Sequence, residues 1–171
     1  MARRHALIST FAVLSISVLA AGSALAASAD ATASVTVLAP LSVTNTGNMN
    51  FGDILPPSDA AQDFDLSASA GTISTSGTGK SLGGTVSRAV FSVDGEAGQN
   101  ISVSTSVTDF SVSDPVSLAV EDLTDLDGDT GSIPGGGGPG TINVGGTLTV
   151  DQDAAAGSYS GALITLMVDY M

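Results

Sequence analysis

The densest chemical functionality in this chain is a run of carboxylates, Glu121, Asp122, Asp125, Asp127 and Asp129. Aspartates at 125, 127 and 129 have the alternating spacing from which three carboxylates converge on one hard cation such as calcium. A calcium loop of the EF-hand type also needs Gly at its sixth position and Glu at its twelfth, where this chain has Thr130 and Gly136. The run therefore reads as a solvated acidic turn, with at most a weak calcium site at Asp125, Asp127 and Asp129, and no other cofactor is expected. Asp94 and Glu96 form a second candidate pair for general acid-base work. They lie in a glycine-rich turn, Asp94-Gly95-Glu96-Ala97-Gly98, with nothing nearby in sequence to activate them. The one histidine is His5 and cysteine is absent. Beyond the first 26 residues, Ser-His-Asp, Cys-His and ordinary zinc chemistries thus lack their side chains. Gly145-Gly146 has neither the lysine nor the following helix of a phosphate loop, and reads as a bulge or a close strand crossing. The expectation is a protein that is not an enzyme.

Arg3 and Arg4 precede an apolar run from Leu7 to Ala21, and Ala24-Leu25-Ala26 has the form of a cleavage site. Residues 1–26 are therefore read as a secretory signal peptide, and 27–171 as a single domain. Its apolar run is too short and its far flank too small-residued for a membrane span, so no membrane insertion of the mature chain is expected. Past residue 26 the only cations are Lys80 and Arg88, against 17 acids. Such a surface repels phosphates, which argues against nucleic acid or anionic lipid as a partner. Without cysteine, stability must come from sheet packing.

The elements that hold these residues are strands. Alanines at 27, 29, 31 and 33 and valines at 35 and 37 alternate with polar residues, making 27–38 an N-terminal extension or a first strand. Pro40 marks a bend, after which Leu41 and Val43 resume the alternation. Further strands are expected at Met49 to Gly52, from Phe64 and Leu66, over 85–93 with Ala89, Phe91 and Val93 inward, and at Ile101, Val103, Thr105 and Val107. Two more are expected around Pro115, one at Phe110 with Val112 and one at Val116, Leu118 and Val120. The stretch 71–84 reads as a loop or weak hairpin, and 121–141 as an acidic and glycine-rich loop carrying Gly135 to Gly138 between two prolines. Near the end, Ile142, Val144, Leu148 and Val150 share one face of a strand. Ala162, Ile164, Leu166, Val168 and Tyr170 share one face of another. A hydrophobic last strand predicts a carboxyl end held in a core or an interface. Its other face carries Leu163 and Met167, which call for cover by a loop or a partner. No segment has the spacing of a stable helix; the best candidate is one turn at 151–156. Short strands with turn signals between them predict an all-β sandwich.

Three groups of residues carry a resemblance. They are Ala39-Pro40-Leu41-Ser42-Val43 with Asn50-Phe51-Gly52; Ala89-Val90-Phe91-Ser92-Val93-Asp94-Gly95 with Gly98; and Val144-Gly145-Gly146-Thr147-Leu148-Thr149-Val150 with Ala156-Gly157-Ser158-Tyr159-Ser160-Gly161 and Val168-Asp169-Tyr170. In that order the chain resembles a family of small secreted bacterial domains of unassigned function that sits beside the chaperone-usher fimbrial subunits. The resemblance implies an immunoglobulin-like, pilin-like sandwich, incomplete by one strand and completed by the N-terminal extension of a neighbouring copy. It implies a periplasmic chaperone and an outer-membrane usher as partners beside other copies of the subunit. The route would be through the periplasm to the cell surface. Val35 and Val37 are then the donor residues, and Ile164, Leu166, Val168 and Tyr170 line the acceptor side. Many fimbrial subunits carry a disulfide, which this chain cannot form. The alternative reading is a self-contained extracellular binding module, an adhesin or carbohydrate-binding sandwich, using the acidic loop with calcium.

Overall fold

Eleven strands, all paired antiparallel, make up the regular structure of the computed structural model, which describes residues 27–124, 130–133 and 140–171. They are β1 (Ser42–Gly47), β2 (Asn50–Leu55), β3 (Gln62–Leu66), β4 (Ile73–Thr75), β5 (Lys80–Ser87), β6 (Ala89–Asp94), β7 (Asn100–Thr108), β8 (Val116–Thr124), β9 (Thr130–Ser132), β10 (Gly140–Val150) and β11 (Leu163–Tyr170). The all-β expectation is borne out. Among the described residues there is no helix, and 151–156 is a turn rather than a helical one. The expected signal peptide and the polyglycine run lie outside the described residues.

β10 is the strand on which the largest sheet is built. Its first half, Gly140 to Val144, pairs with β6, and its second half, Gly146 to Val150, pairs with β3. Its other edge pairs with β8. β1 flanks β6 and β4 flanks β3, giving a six-stranded sheet. A second sheet has the order β11-β7-β9, and β2 with β5 makes a third. The arrangement is consistent with a β-sandwich, because side chains from the first two sheets meet in one apolar cluster. Ala89, Phe91 and Val93 of β6, with Ile142 and Val144 of β10, pack there with Ile101 and Val103 of β7, Leu166 of β11, and Ile133. Each large member contributes about 1.5–3 kcal/mol by leaving water. A smaller cluster of Phe64, Leu148 and Val150 is covered by Phe51 and Ile54 of β2 together with Ile73, Phe110, Val116 and Ala154.

Several expectations are corrected. The stretch 85–93 is two strands, because the chain leaves the β2-β5 sheet at Ser87 and enters the large sheet at Ala89. Arg88 stands at the switch, with Nη1 donating to the carbonyl oxygens of Ala68 and Ser69. Phe110 and Val112 form no strand. The Asp109 carboxylate accepts from the amides of Phe110 and Leu118, and that of Asp114 accepts from Ser111, folding the segment into a turn. The segment 121–141 is not all loop: the β10 ladder extends β8 to Thr124, and 130–132 pair with β7. The weak hairpin within 71–84 divides instead between β4, which pairs with β3, and β5, which pairs with β2.

The glycine pair in β10 explains how three strands converge. The β10-β8 register shifts between Gly145 and Thr147, a bulge. A Cβ on Gly145 would collide with the Leu66 carbonyl and lie 2.5 Å from the Ala68 nitrogen, and one on Gly146 would collide with the Ala119 carbonyl. Both neighbours are backbone and cannot swing aside. Gly145→Ala is therefore expected to cost about 3 kcal/mol through overpacking. The urea midpoint should fall accordingly, and a change below about 0.5 kcal/mol, the level of an ordinary surface substitution, would contradict this account.

Candidate functional site

The strand that ends the fold has one partner. β11 pairs with β7 over its whole length, from Leu163 opposite Thr108 to Tyr170 opposite Ile101. Among the described residues no strand pairs with its other edge. Partners directly opposite in an antiparallel pair share a face, so Ile164, Leu166, Val168 and Tyr170 lie on the face of Val107, Thr105, Val103 and Ile101. That is the core face. Leu166 is buried, and Ile164, Val168 and Tyr170 are half-buried and packed against the cluster. The structure thus brings the four expected acceptor residues together along an open edge. On the outer face, Leu163 and Met167 are 60% and 50% exposed beside Thr108 and Ser104, with no loop covering them among the described residues.

Val35 and Val37 sit elsewhere in the accounting of strands. Every residue over 27–40 is exposed and none belongs to a strand, and the two valines are 86% and 84% exposed. The alternating pattern of 27–38 is therefore an extension and not a first strand; the first strand starts at Ser42. An apolar alternation with no sheet to enter leaves both its side chains and its backbone groups in water.

At the root of this extension a joint ties three parts of the chain together. The Tyr170 hydroxyl donates to the Ala39 carbonyl at 2.7 Å and accepts from the Glu96 amide at 2.6 Å. The Ala39 amide in turn donates to Glu96 Oε2 at 3.2 Å. Gly95 makes room: a Cβ there would stand 2.6 Å from the Tyr170 oxygen and 2.8 Å from Leu41 Cδ2. The last amide, of Met171, donates to the Asn100 carbonyl at 3.1 Å. Sequence reasoning placed Tyr170 on the acceptor face but missed Ala39 and Glu96. Contacts separated by 131 and 74 positions leave no local pattern to read.

The two carboxylates of the Asp94-to-Gly98 turn accept from backbone amides. Asp94 Oδ1 accepts from the Gly95 amide within its own turn and Glu96 from that of Ala39 across the fold, so the candidate acid-base pair is engaged in two separate backbone contacts. Asp125, Asp127 and Asp129 lie outside the described residues. Among the described residues no group of three metal-ligating side chains comes together. Asp59 is held below the usual carboxylate range, chiefly by the Thr78 hydroxyl at 2.6 Å, against the opposing effect of desolvation and with further help from the Ala60 amide. Thr78 fastens this loop further by accepting from the Ser58 amide.

The fold and its edge define an all-β domain in which β11 has one strand partner among the described residues and in which an exposed segment, 27–40, is tied at Ala39 to the end of that strand. Over residues 41–170 the chain matches the family described as Domain of unknown function (DUF4402), and it belongs to that family. The matched stretch begins beside β1 and ends with β11, leaving 27–40 outside it. No curated protein and no solved structure matches the chain.

Two outcomes are expected here. Thr78→Val removes the hydroxyl that stabilises the Asp59 anion, so the Asp59 carboxyl titration followed by NMR should move upward, toward the ordinary value. Because the folded-state value is depressed, the interaction is fully present above the unfolded-state value and is lost as pH falls through the folded one. Second, Val35→Asp with Val37→Asp should leave thermal unfolding of the monomer within about 0.5 kcal/mol of the parent, since neither side chain packs on the sandwich.

Proposed function

We propose that this protein is an exported, noncatalytic building block of a surface filament or fimbrium. Each copy would insert its 27–38 extension along the open β11 edge of the next. The observation that carries this reading is that one chain holds both halves of such a contact. Among the described residues it has an apolar alternating segment without a sheet and an edge strand without a second partner. Strand addition satisfies both at once: the incoming backbone pairs with the edge, and alternate side chains enter between the layers.

The energetics favour the valines as anchors. Burying Val35 and Val37 contributes about 1.5–3 kcal/mol each, while the alanines at 29, 31 and 33 add less and suit shallow positions. The inner face of β11 offers Ile164, Leu166 and Val168 at the matching period of two. The resemblance to fimbrial subunits supports an immunoglobulin-like, pilin-like architecture and partners of that system, a periplasmic chaperone and an outer-membrane usher, with the signal peptide directing export. A chaperone suits the physics, because an open apolar edge invites unproductive pairing until the proper strand arrives.

The test is the solution mass of the chain 27–171 by analytical ultracentrifugation across a concentration series. The parent should form ladders of oligomers, and Val35→Asp with Val37→Asp should remain monomeric while still folded. Polymerisation of the double variant to the parent's extent would sink the proposal.

A further inference from the structure

We propose that the joint of Tyr170, Ala39 and Glu96 positions the extension for donation, so that the chain's last strand governs the aim of its own N-terminal segment. The inference rests on the strand-donation reading above and adds to it the groups that prepare the donor.

Both polar groups of Ala39 are held, the amide by Glu96 Oε2 and the carbonyl by the Tyr170 hydroxyl. Pro40 follows, with its φ fixed by the ring. Over 27–38 no residue belongs to a strand. Among the described residues Ala39 is thus the outermost one whose backbone is hydrogen-bonded to the folded domain, at the root of the extension. The valine anchors lie only two and four residues further out, close enough for a fixed root to narrow the directions in which they are presented.

The joint is also unusually complete. The Tyr170 oxygen uses its donor and one acceptor position, on two segments that are far apart in sequence. Its ring packs against the main core cluster, so the hydroxyl is fixed from behind. A fixed root lowers the ordering cost of association, which raises the rate of productive encounters without adding any contact to the neighbour.

The experiment separates the donor's role from the acceptor's. Full-length mature chain carrying Val35→Asp and Val37→Asp serves as an excess acceptor that cannot donate. Fluorescently labelled donor is added, and the rate of heterodimer formation is followed. Tyr170→Phe in the donor keeps the ring and loses both hydroxyl contacts; Glu96→Ala removes the contact to the Ala39 amide. Each is expected to slow addition about tenfold, as the loss of a pre-ordered root requires. Glu96→Gln retains an acceptor oxygen and should restore most of the parent rate, which separates the contact from the charge. Glu96→Ala carried by the acceptor should slow addition far less than when carried by the donor. Parent-like rates for both donor variants, or equal slowing with Glu96→Ala in either molecule, would overturn the proposal while leaving strand donation standing. Failure of the parent donor to add at all overturns both.

Discussion

The constraint on which this structure depends is that every strand must find its partners without covalent help. With no cysteine to staple the sheets, main-chain pairing and apolar burial carry the fold between them. β10 meets most of that demand. It is paired along both edges, to β6 and β3 on one side and β8 on the other, and residues 142–146 are all buried. The two glycines at its middle let the neighbouring backbones come closer than any side chain would allow. β11 stands at the opposite extreme, with an apolar face turned to the core and, among the described residues, one strand partner only.

How much of this was legible in the residues follows from the range of each interaction. Period-two alternation depends on neighbours two apart, so β3, β6, β7, β10 and β11 could all be read, and the inward set Ala89, Phe91, Val93, Ile101 and Val103 is the buried one. The glycine pair was legible too, since a small residue inside an apolar strand implies a close approach. The division of 85–93 at Arg88 was not, because both halves alternate and only the tertiary sheets distinguish them. Phe110 and Val112 misled in the opposite way: two apolar residues with strand spacing were overruled by aspartates that bind the local backbone. The inward face of β11 was readable from alternation alone. The joint at its end was not, because Ala39 and Glu96 acquire their roles only when the ends of the chain meet.

The extension and the joint also show why a pattern and its destination are different matters. The alternation over 27–38 is as regular as that of any strand in the chain, yet it enters no sheet. Its root is tied to the penultimate residue by a hydrogen bond, and Leu41, just beyond it, packs on the core. Hydrogen bonding to the folded domain in this region therefore begins at Ala39, and the family match begins two residues later.

The lateness of β10 and β11 in the chain has a kinetic side. The large sheet has no centre until residues 140–150 have been made, and β7, complete at Thr108, waits for 163–170 before its principal partner exists. Pairings of such long sequence separation close slowly, because the loop entropy is lost before the contacts reward it. The main core cluster is therefore completed only once Leu166 and its neighbours on β11 have been made.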